Sequence, residues 1–275
     1  MTTLTLSKAI ELVPSVGATS PSQNVSSDYA FVSTRDVLEK VIDMGWNITN
    51  VTGQNKRPHS QHRVTLVHNN FLDKVTKQDE TIPRIELFNS HDRTKRFMFA
   101  VGLFRLVCSN GLIVAAGACE TIRSKHRSCH IMDTKSIADQ LSLTVEKFPT
   151  VLNVVEGFKQ RELSYEEQQD LAQFALKGRY LYRSSMPKRF ADINETATKF
   201  LQVNRGEDEG NDTWKVYNRL QENFIRGIQG FSRAVTGYAD SIRVNELLWK
   251  GAEQTLKFEG PALRKELNSL LNKNN

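Results

Sequence analysis

The spacing of hydrophobic residues along this chain changes twice. Between residues 34 and 45 it follows a helix: Val37, Leu38, Val41 and Ile42 recur at three and four positions and make one apolar stripe. Ser33, with Asp36 three residues on, is a helix start that satisfies free backbone N–H groups. Gly45 supplies the stop, and Trp46 follows as an anchor into the core. From Trp46 to Asn89 the spacing shifts towards two. Strands are expected over about Trp46 to Thr52, Arg63 to His68 and Arg84 to Phe88, separated by polar or proline-bearing connections. The most apolar run, Lys95 to Gly117, has two β-rich halves flanking Ser109-Asn110-Gly111. Asn-Gly between apolar runs predicts a hairpin, because a type I′ turn needs positive φ at both central residues. Its strands would run from about Arg96 to Cys108 and from Leu112 to Ala116.

After residue 130 the helical spacing returns. Thr134 opens a segment carrying Ile137, Leu141, Val145, Phe148, Leu152, Val155 and Phe158, with Pro149 interrupting it. Ser164-Tyr165-Glu166-Glu167 is a capping box for a helix that bears Leu171, Phe174, Ala175 and Gly178. Asp212 or Thr213 caps another, with Trp214, Tyr217, Leu220, Phe224 and Ile228 on one face. Lys215, Asn218, Arg219, Glu222 and Arg226 fall on the opposite side, which is expected to face solvent and offers a surface for a protein partner. A last helix from about Asp240 to Phe258 would bury Val244, Leu248, Ala252 and Leu256, and residues 261–271 form a short amphipathic tail.

The pattern specifies an α+β protein: an antiparallel sheet of about five strands with a central β-hairpin, preceded by one helix and followed by a helical C-terminal half. Residues 1–29 are expected as a flexible N-terminal arm with one short helix near Leu6 to Leu12. Residues 30–130 form the basic β-rich core, 131–258 a helical region packed on it, and 259–275 a C-terminal tail.

Charge sharpens this picture. The net charge is +6, and the excess is uneven: residues 1–130 hold 16 Lys and Arg against 11 Asp and Glu, whereas residues 131–275 hold 21 against 20. A basic sheet suits a polyanion, because neutralising phosphates releases counterions. The absence of an apolar run of about 18 residues argues against a membrane span. The N-terminus lacks the charged and apolar regions of a signal peptide, and three cysteines are an odd number. Both features point to reduced thiols and a cytoplasmic setting.

The chain carries none of the phosphate-loop, dinucleotide-binding, HExxH or GxSxG signatures, so no enzymatic activity and no cofactor are expected. Glu207, Asp208, Glu209 and Asp212 lack calcium-loop spacing and read as a solvated loop. His126, Cys129 and His130, with Cys108 or Cys119, lack the paired spacing of zinc sites, and Cys108 follows a hydrophobic strand as an inert core thiol would. No metal is expected. The basic positions are better explained by phosphates. Lys95, Arg96 and Arg105 on the hairpin, with Arg123, Lys125, Arg127 and His130 after it, would line one groove, and Lys56 and Arg57 would extend it. Phe97, Phe99 and Phe104 offer stacking faces, with core packing expected for at least two of them.

Three stretches carry a family resemblance: Arg105-Leu106-Val107-Cys108-Ser109-Asn110-Gly111-Leu112, then Thr213 to Gly227 (TWKVYNRLQENFIRG), then Asn245-Glu246-Leu247-Leu248-Trp249. In order and spacing they resemble an uncharacterised family of phage- and plasmid-like proteins, over about residues 30–258. The resemblance implies a mobile-element context. In architecture, a helix running into Gly45-Trp46, then antiparallel strands, a basic hairpin and helices, the chain resembles the Redβ/RecT group of single-strand annealing proteins. That likeness implies single-stranded DNA as partner, ATP-independent annealing and recombination, and a homo-oligomeric ring or filament. The alternative expectation is a host-interaction protein that acts by binding a bacterial defence or regulatory component.

Overall fold

The computed structural model describes residues 2–54, 56–72, 81–105, 112–113, 122–124, 134–180 and 187–273. They fall into two compact units: residues 1–111 with 117–148, and residues 112–116 with 149–275. The architecture is α+β.

In the first unit, helix α1 (Leu6–Leu12) and a 3-10 turn (Pro14–Gly17) precede α2 (Thr34–Asp43). The segment expected as a flexible arm has its helix where the sequence places it, and Ala9, Val13, Ser15 and Val16 are buried. Ser33 caps α2 by accepting from the Asp36 N–H at 3.2 Å. Gly45, at φ +90°, ends the helix and turns the chain into β1 (Trp46–Gly53). Trp46 is 1% exposed and meets His68 and Phe148 edge-on.

Strands β1, β2 (His62–His68), β3 (Thr81–Asn89) and β4 (Phe97–Arg105) pair in sequence order, each antiparallel to the last, with a four-residue α3 (Asn69–Leu72) after β2. The short strand β5 (Leu112–Ile113) falls in the second unit, and β6 (Ile122–Ser124) pairs with the start of β4. The Ser109-Asn110-Gly111 turn lies outside the described residues. Register puts His62 opposite Asn89, Val64 opposite Leu87 and Leu66 opposite Ile85, so these side chains share one face. Thr34, the first residue of α2, bonds both His62 and Asn89, so α2 covers that face. Phe97 and Phe99 are 0% and 2% exposed and pack edge-on, which makes them core residues rather than stacking platforms. The side chain of Phe104 is outside the described residues.

Helix α4 (Thr134–Gln160) runs continuously through Pro149, where an interruption was expected. A proline removes one N–H, and the rest of the 27-residue helix maintains its ladder. The helical unit continues with α5 (Tyr165–Tyr180), α6 (Ile193–Phe200), α7 (Thr213–Arg226), α8 (Tyr238–Thr255) and α9 (Gly260–Lys273). The capping box at Ser164 is complete: its Oγ accepts from the Glu167 N–H at 3.2 Å, and Glu167 accepts from the Ser164 N–H at 2.9 Å. Asp212 caps α7 through the Lys215 N–H at 3.0 Å. The expected tail is a full helix whose Leu263, Leu267 and Leu271 are buried. Leu256, expected in the core, is 40% exposed, because α8 ends just before it.

Helices α5 and α8 approach through two glycines. A Cβ on Gly251 would sit 2.6 Å from Phe174 Cε1, and one on Gly178 would sit 2.0 Å from the end of Leu247. Leu247 can swing aside, whereas the Phe174 ring is fixed in the core. Gly251→Ala is therefore expected to destabilise the helical unit by about 1–3 kcal/mol and Gly178→Ala by less, as read by denaturant midpoints. Equal midpoints for the two variants would show that the ring also yields.

Candidate nucleic-acid interface

Antiparallel register decides which basic residues meet. Gly53 pairs with His62 and Phe88 pairs with Met98, so the β1–β2 connection (residues 54–61) and the β3–β4 connection (residues 90–96) leave the sheet at the same end. The His91 N–H donates to the His59 carbonyl at 2.9 Å and joins the two connections directly. The connection that carries Lys56 and Arg57 is thereby joined to the one that carries Lys95 and Arg96. Strand β6 runs antiparallel to β4 and places Ser124 opposite Phe97, so the chain also leaves β6 at this end. Arg123 stands opposite Met98 in that pairing. Lys125 and Arg127 lie outside the described residues.

Arg105 is separated from this group. It pairs with Thr81 at the far end of β4, about 26 Å from Phe97 at strand rise, and its side chain is outside the described residues. Arg93 joins the group instead, on the exposed tip between Asp92 and Thr94. Its φ of 68° is a left-handed conformation uncommon for a side-chain-bearing residue. Sequence reasoning missed Arg93 because one arginine in a polar connection has no pattern. The neighbouring Asp, however, is a turn signal that hydrophobic spacing leaves out.

Below these loops lies a buried polar scaffold. Asn89 Nδ2 donates to the Val32 carbonyl at 3.0 Å and to Thr34 Oγ1 at 2.9 Å, while its Oδ1 accepts from the Ser90 N–H at 2.8 Å. His62 Nδ1 lies 3.1 Å from the Ser60 carbonyl, which can only accept, so Nδ1 carries the proton. His62 Nε2 then accepts from the Thr34 hydroxyl at 2.8 Å. Burial pushes the His62 pKa down to about 4. Ser90 Oγ closes the loop by accepting from the Lys95 N–H at 2.8 Å. The N-terminal segment holds it from outside: Tyr29 donates to the Ser90 carbonyl, the Ser22 N–H to the His91 carbonyl, and His91 Nε2 to the Ser15 carbonyl.

The electrostatics of this sheet end are one-sided. The described residues of the two connections carry five cations, Lys56, Arg57, Arg93, Lys95 and Arg96, against one carboxylate, Asp92. Burial opposes the charge on Asp92, but hydrogen bonds from Thr94 and Ser90 outweigh it and hold its pKa below the ordinary value. None of the five cations makes an ion pair with a described carboxylate, and all but the half-buried Lys95 are exposed. Arg63 and Arg84, in the strands, are different: both pair with the one Glu86 carboxylate, which lies 2.8 Å from Arg84 and 3.6 Å from Arg63. Beside Lys56 and Arg57 an open groove of about 670 Å³ runs along Val51, Thr52 and Gly53, with Leu12, 44% exposed, on its other wall.

The face of α7 expected to meet solvent is covered in its middle and open at its ends, where the Lys215 and Arg226 side chains are 38% and 43% exposed. Asn218, Arg219 and Glu222 are 4%, 8% and 6% exposed. The loop after α6 folds over them, with Arg205 bidentate on Glu222 and Asn223 donating to the Phe200 and Gln202 carbonyls. Helical periodicity identifies two faces but does not reveal that a loop from outside the helix buries the middle of the polar one. The acidic run is divided: Asp208 and Asp212 are 3% and 6% exposed rather than solvated, whereas Glu207 and Glu209 are exposed as expected. No cluster able to hold a metal occurs among the described residues, and His126, Cys129, His130, Cys108 and Cys119 fall outside them. No helix among the described residues is long and apolar enough to cross a membrane.

A family model described as "Domain of unknown function (DUF932)" matches residues 21–249, a span that takes in both basic connections and α4 to α7. The chain belongs to this family. Two relatives from Escherichia coli (strain K12), UPF0380 protein YfjQ and UPF0380 protein YafZ, are each 29% identical over 273 residues, covering 92% of this chain and 92% of each relative. No solved structure matches the chain.

Proposed function

We propose that this chain binds single-stranded DNA across the basic end of its sheet and promotes annealing of complementary strands without ATP, as a homo-oligomer. One observation carries the reading: five cations without a described ion-pair partner are gathered on two loops that a buried hydrogen-bonded scaffold holds together. Unpaired surface cations fixed in place suit a phosphate backbone, which needs charge and spacing rather than base recognition. The groove past Lys56 and Arg57 has apolar walls at Leu12 and Val51, against which a base can lie while its phosphate meets the rim. The likeness of the helix, sheet and helix order to single-strand annealing proteins points the same way. In this reading Lys125 and Arg127 extend the phosphate path beyond β6.

The test is a titration of the whole chain against labelled single- and double-stranded oligonucleotides at two salt concentrations, with annealing scored in the same samples. Single strands are expected to bind with steep salt dependence and to anneal faster. Lys95→Glu with Arg96→Glu, and separately Lys56→Glu with Arg57→Glu, are expected to weaken binding at least about tenfold. Each should lower the salt slope by about 0.7 for every phosphate that is no longer neutralised. Arg105→Glu, at the other end of β4, is expected to leave affinity within about twofold. Equal losses at Arg105 and at Lys95 and Arg96 would move the path along the length of β4, and no binding at low salt would discard the proposal.

A further inference from the structure

The helical unit contains an open polar pocket of about 500 Å³, a volume on the scale of small-molecule sites. Ser164, Tyr165 and Gln168 at the start of α5, Thr198 near the end of α6, and Gln202 after it form its walls, and Arg219 of α7 reaches it from below. Arg219 is 8% exposed, yet its hydrogen-bond partners are neutral: Nη2 donates to the Gly210 carbonyl at 2.9 Å and to Gln168 Oε1 at 3.3 Å. Its Nε is buried with no acceptor, and Nη1 makes no hydrogen bond to a described residue. The nearby Asp212 is committed elsewhere, capping the Lys215 N–H and pairing with Lys215 Nζ at 3.2 Å. Asp208 and Asp212 act on Arg219 only at longer range, and burial holds its pKa below the ordinary arginine value. A guanidinium placed this deep normally has an anionic partner, because an unpaired charge out of water is costly.

We propose that the pocket is a binding site for the phosphate group of a small ligand, with Arg219 supplying the charge. Nη1 is the donor left to it, because Nη2 is engaged and Nε, on the other side of the guanidinium, is buried, and a charge-assisted hydrogen bond from Nη1 to a phosphate oxygen is among the strong ones. Tyr165, 60% exposed at the mouth, already accepts from Gln169 Nε2 at 2.9 Å, so its own hydroxyl proton is available to a ligand oxygen. The remaining volume accommodates more than a bare phosphate, which favours a phosphorylated metabolite or mononucleotide. The site lies wholly in the second unit and does not depend on the sheet-end reading.

The probe is inorganic phosphate titrated into the whole chain by calorimetry, with the Nε–H resonance of Arg219 followed by NMR, and a nucleoside monophosphate as a second probe. One saturable site that shifts the Arg219 resonance is expected, and tighter binding of the monophosphate would assign the rest of the pocket to the ligand's organic part. Arg219→Gln is expected to weaken binding at least about tenfold. Tyr165→Phe, at an exposed position that leaves folding intact, is expected to weaken it several-fold. Lys95→Glu with Arg96→Glu should leave phosphate binding unchanged even where it removes oligonucleotide binding. No saturable phosphate binding, or binding that survives Tyr165→Phe but is lost with Lys95→Glu and Arg96→Glu, would overturn the assignment.

Discussion

Lowering the pH from 6.5 to 4 is expected to remove about 3 kcal/mol of stability from the sheet unit through His62 alone. An unfolded histidine takes up its proton near pH 6.5, whereas the folded His62, 1% exposed, does so only near 4. Across that window the unfolded chain binds the proton and the folded chain refuses it, so stability falls as pH falls, by about 1.4 kcal/mol per unit. The contribution is complete above pH 6.5 and exhausted at about 4. The hydrogen bonds give the structural reason. Protonated Nε2 would present a donor to a Thr34 hydroxyl that already receives one from Asn89 and now donates its own proton to that nitrogen. Because the same residues hold the two basic loops together, oligonucleotide binding should fail with the sheet rather than strengthen with added positive charge. Urea midpoints measured between pH 4 and 7 for the native chain and for His62→Gln check this. A slope in that window that is equal in both proteins would remove His62 as its source.

Gly227→Ala is expected to cost about 3–5 kcal/mol, the largest effect of any single methyl group in the helical unit. Gly227 ends α7 at φ 76° and ψ 173°, a region open essentially to glycine alone and worth about 1–3 kcal/mol of strain for other residues. A Cβ there would also lie 2.5 Å from the Ser232 carbonyl oxygen and 2.7 Å from the Ala234 nitrogen, both backbone atoms. The turn has little freedom to retreat. Ile228 and Ser232 exchange backbone hydrogen bonds, and Arg179 donates to the Phe224 and Arg233 carbonyls on either side of the junction. Gly230, three residues on, separates the two contributions: its φ is 72°, but nothing lies within 4 Å of its added Cβ. Gly230→Ala should cost only about 1–2 kcal/mol. Denaturant midpoints for the two variants measure the difference, and equal losses would mean that the backbone contact at Gly227 relaxes.

These two sites show where local sequence logic reaches and where it stops. Capping at Ser33, Ser164 and Asp212, the glycine stop at Gly45, the anchor at Trp46 and the apolar stripes of α2, α7 and α8 depend on residues within four positions of one another. They are legible from spacing alone and are present in the fold. Strands β1 to β4 were legible for the same reason, as alternation is a local property, whereas the three-residue β6 is too short to show a period and was not. The basic character of residues 1–130 was also visible in the sequence.

Location was not legible. Lys56 and Lys95 are 39 residues apart, and only the register of β1 on β2, β2 on β3 and β3 on β4 puts their loops at one end of the sheet. The same register carries Arg105 to the opposite end, although only nine residues separate it from Arg96. Burial of the polar face of α7 followed the same logic, since Arg205 reaches Glu222 across 17 residues of sequence. The sequence by itself determined the secondary structure, its caps and the sign of the charge, because those arise from neighbours along the chain. Tertiary structure alone decided which charges gather, which pair with Glu86, and which, like Arg219, are buried with only neutral hydrogen-bond partners, because pairing depends on distances that the chain closes only when it folds.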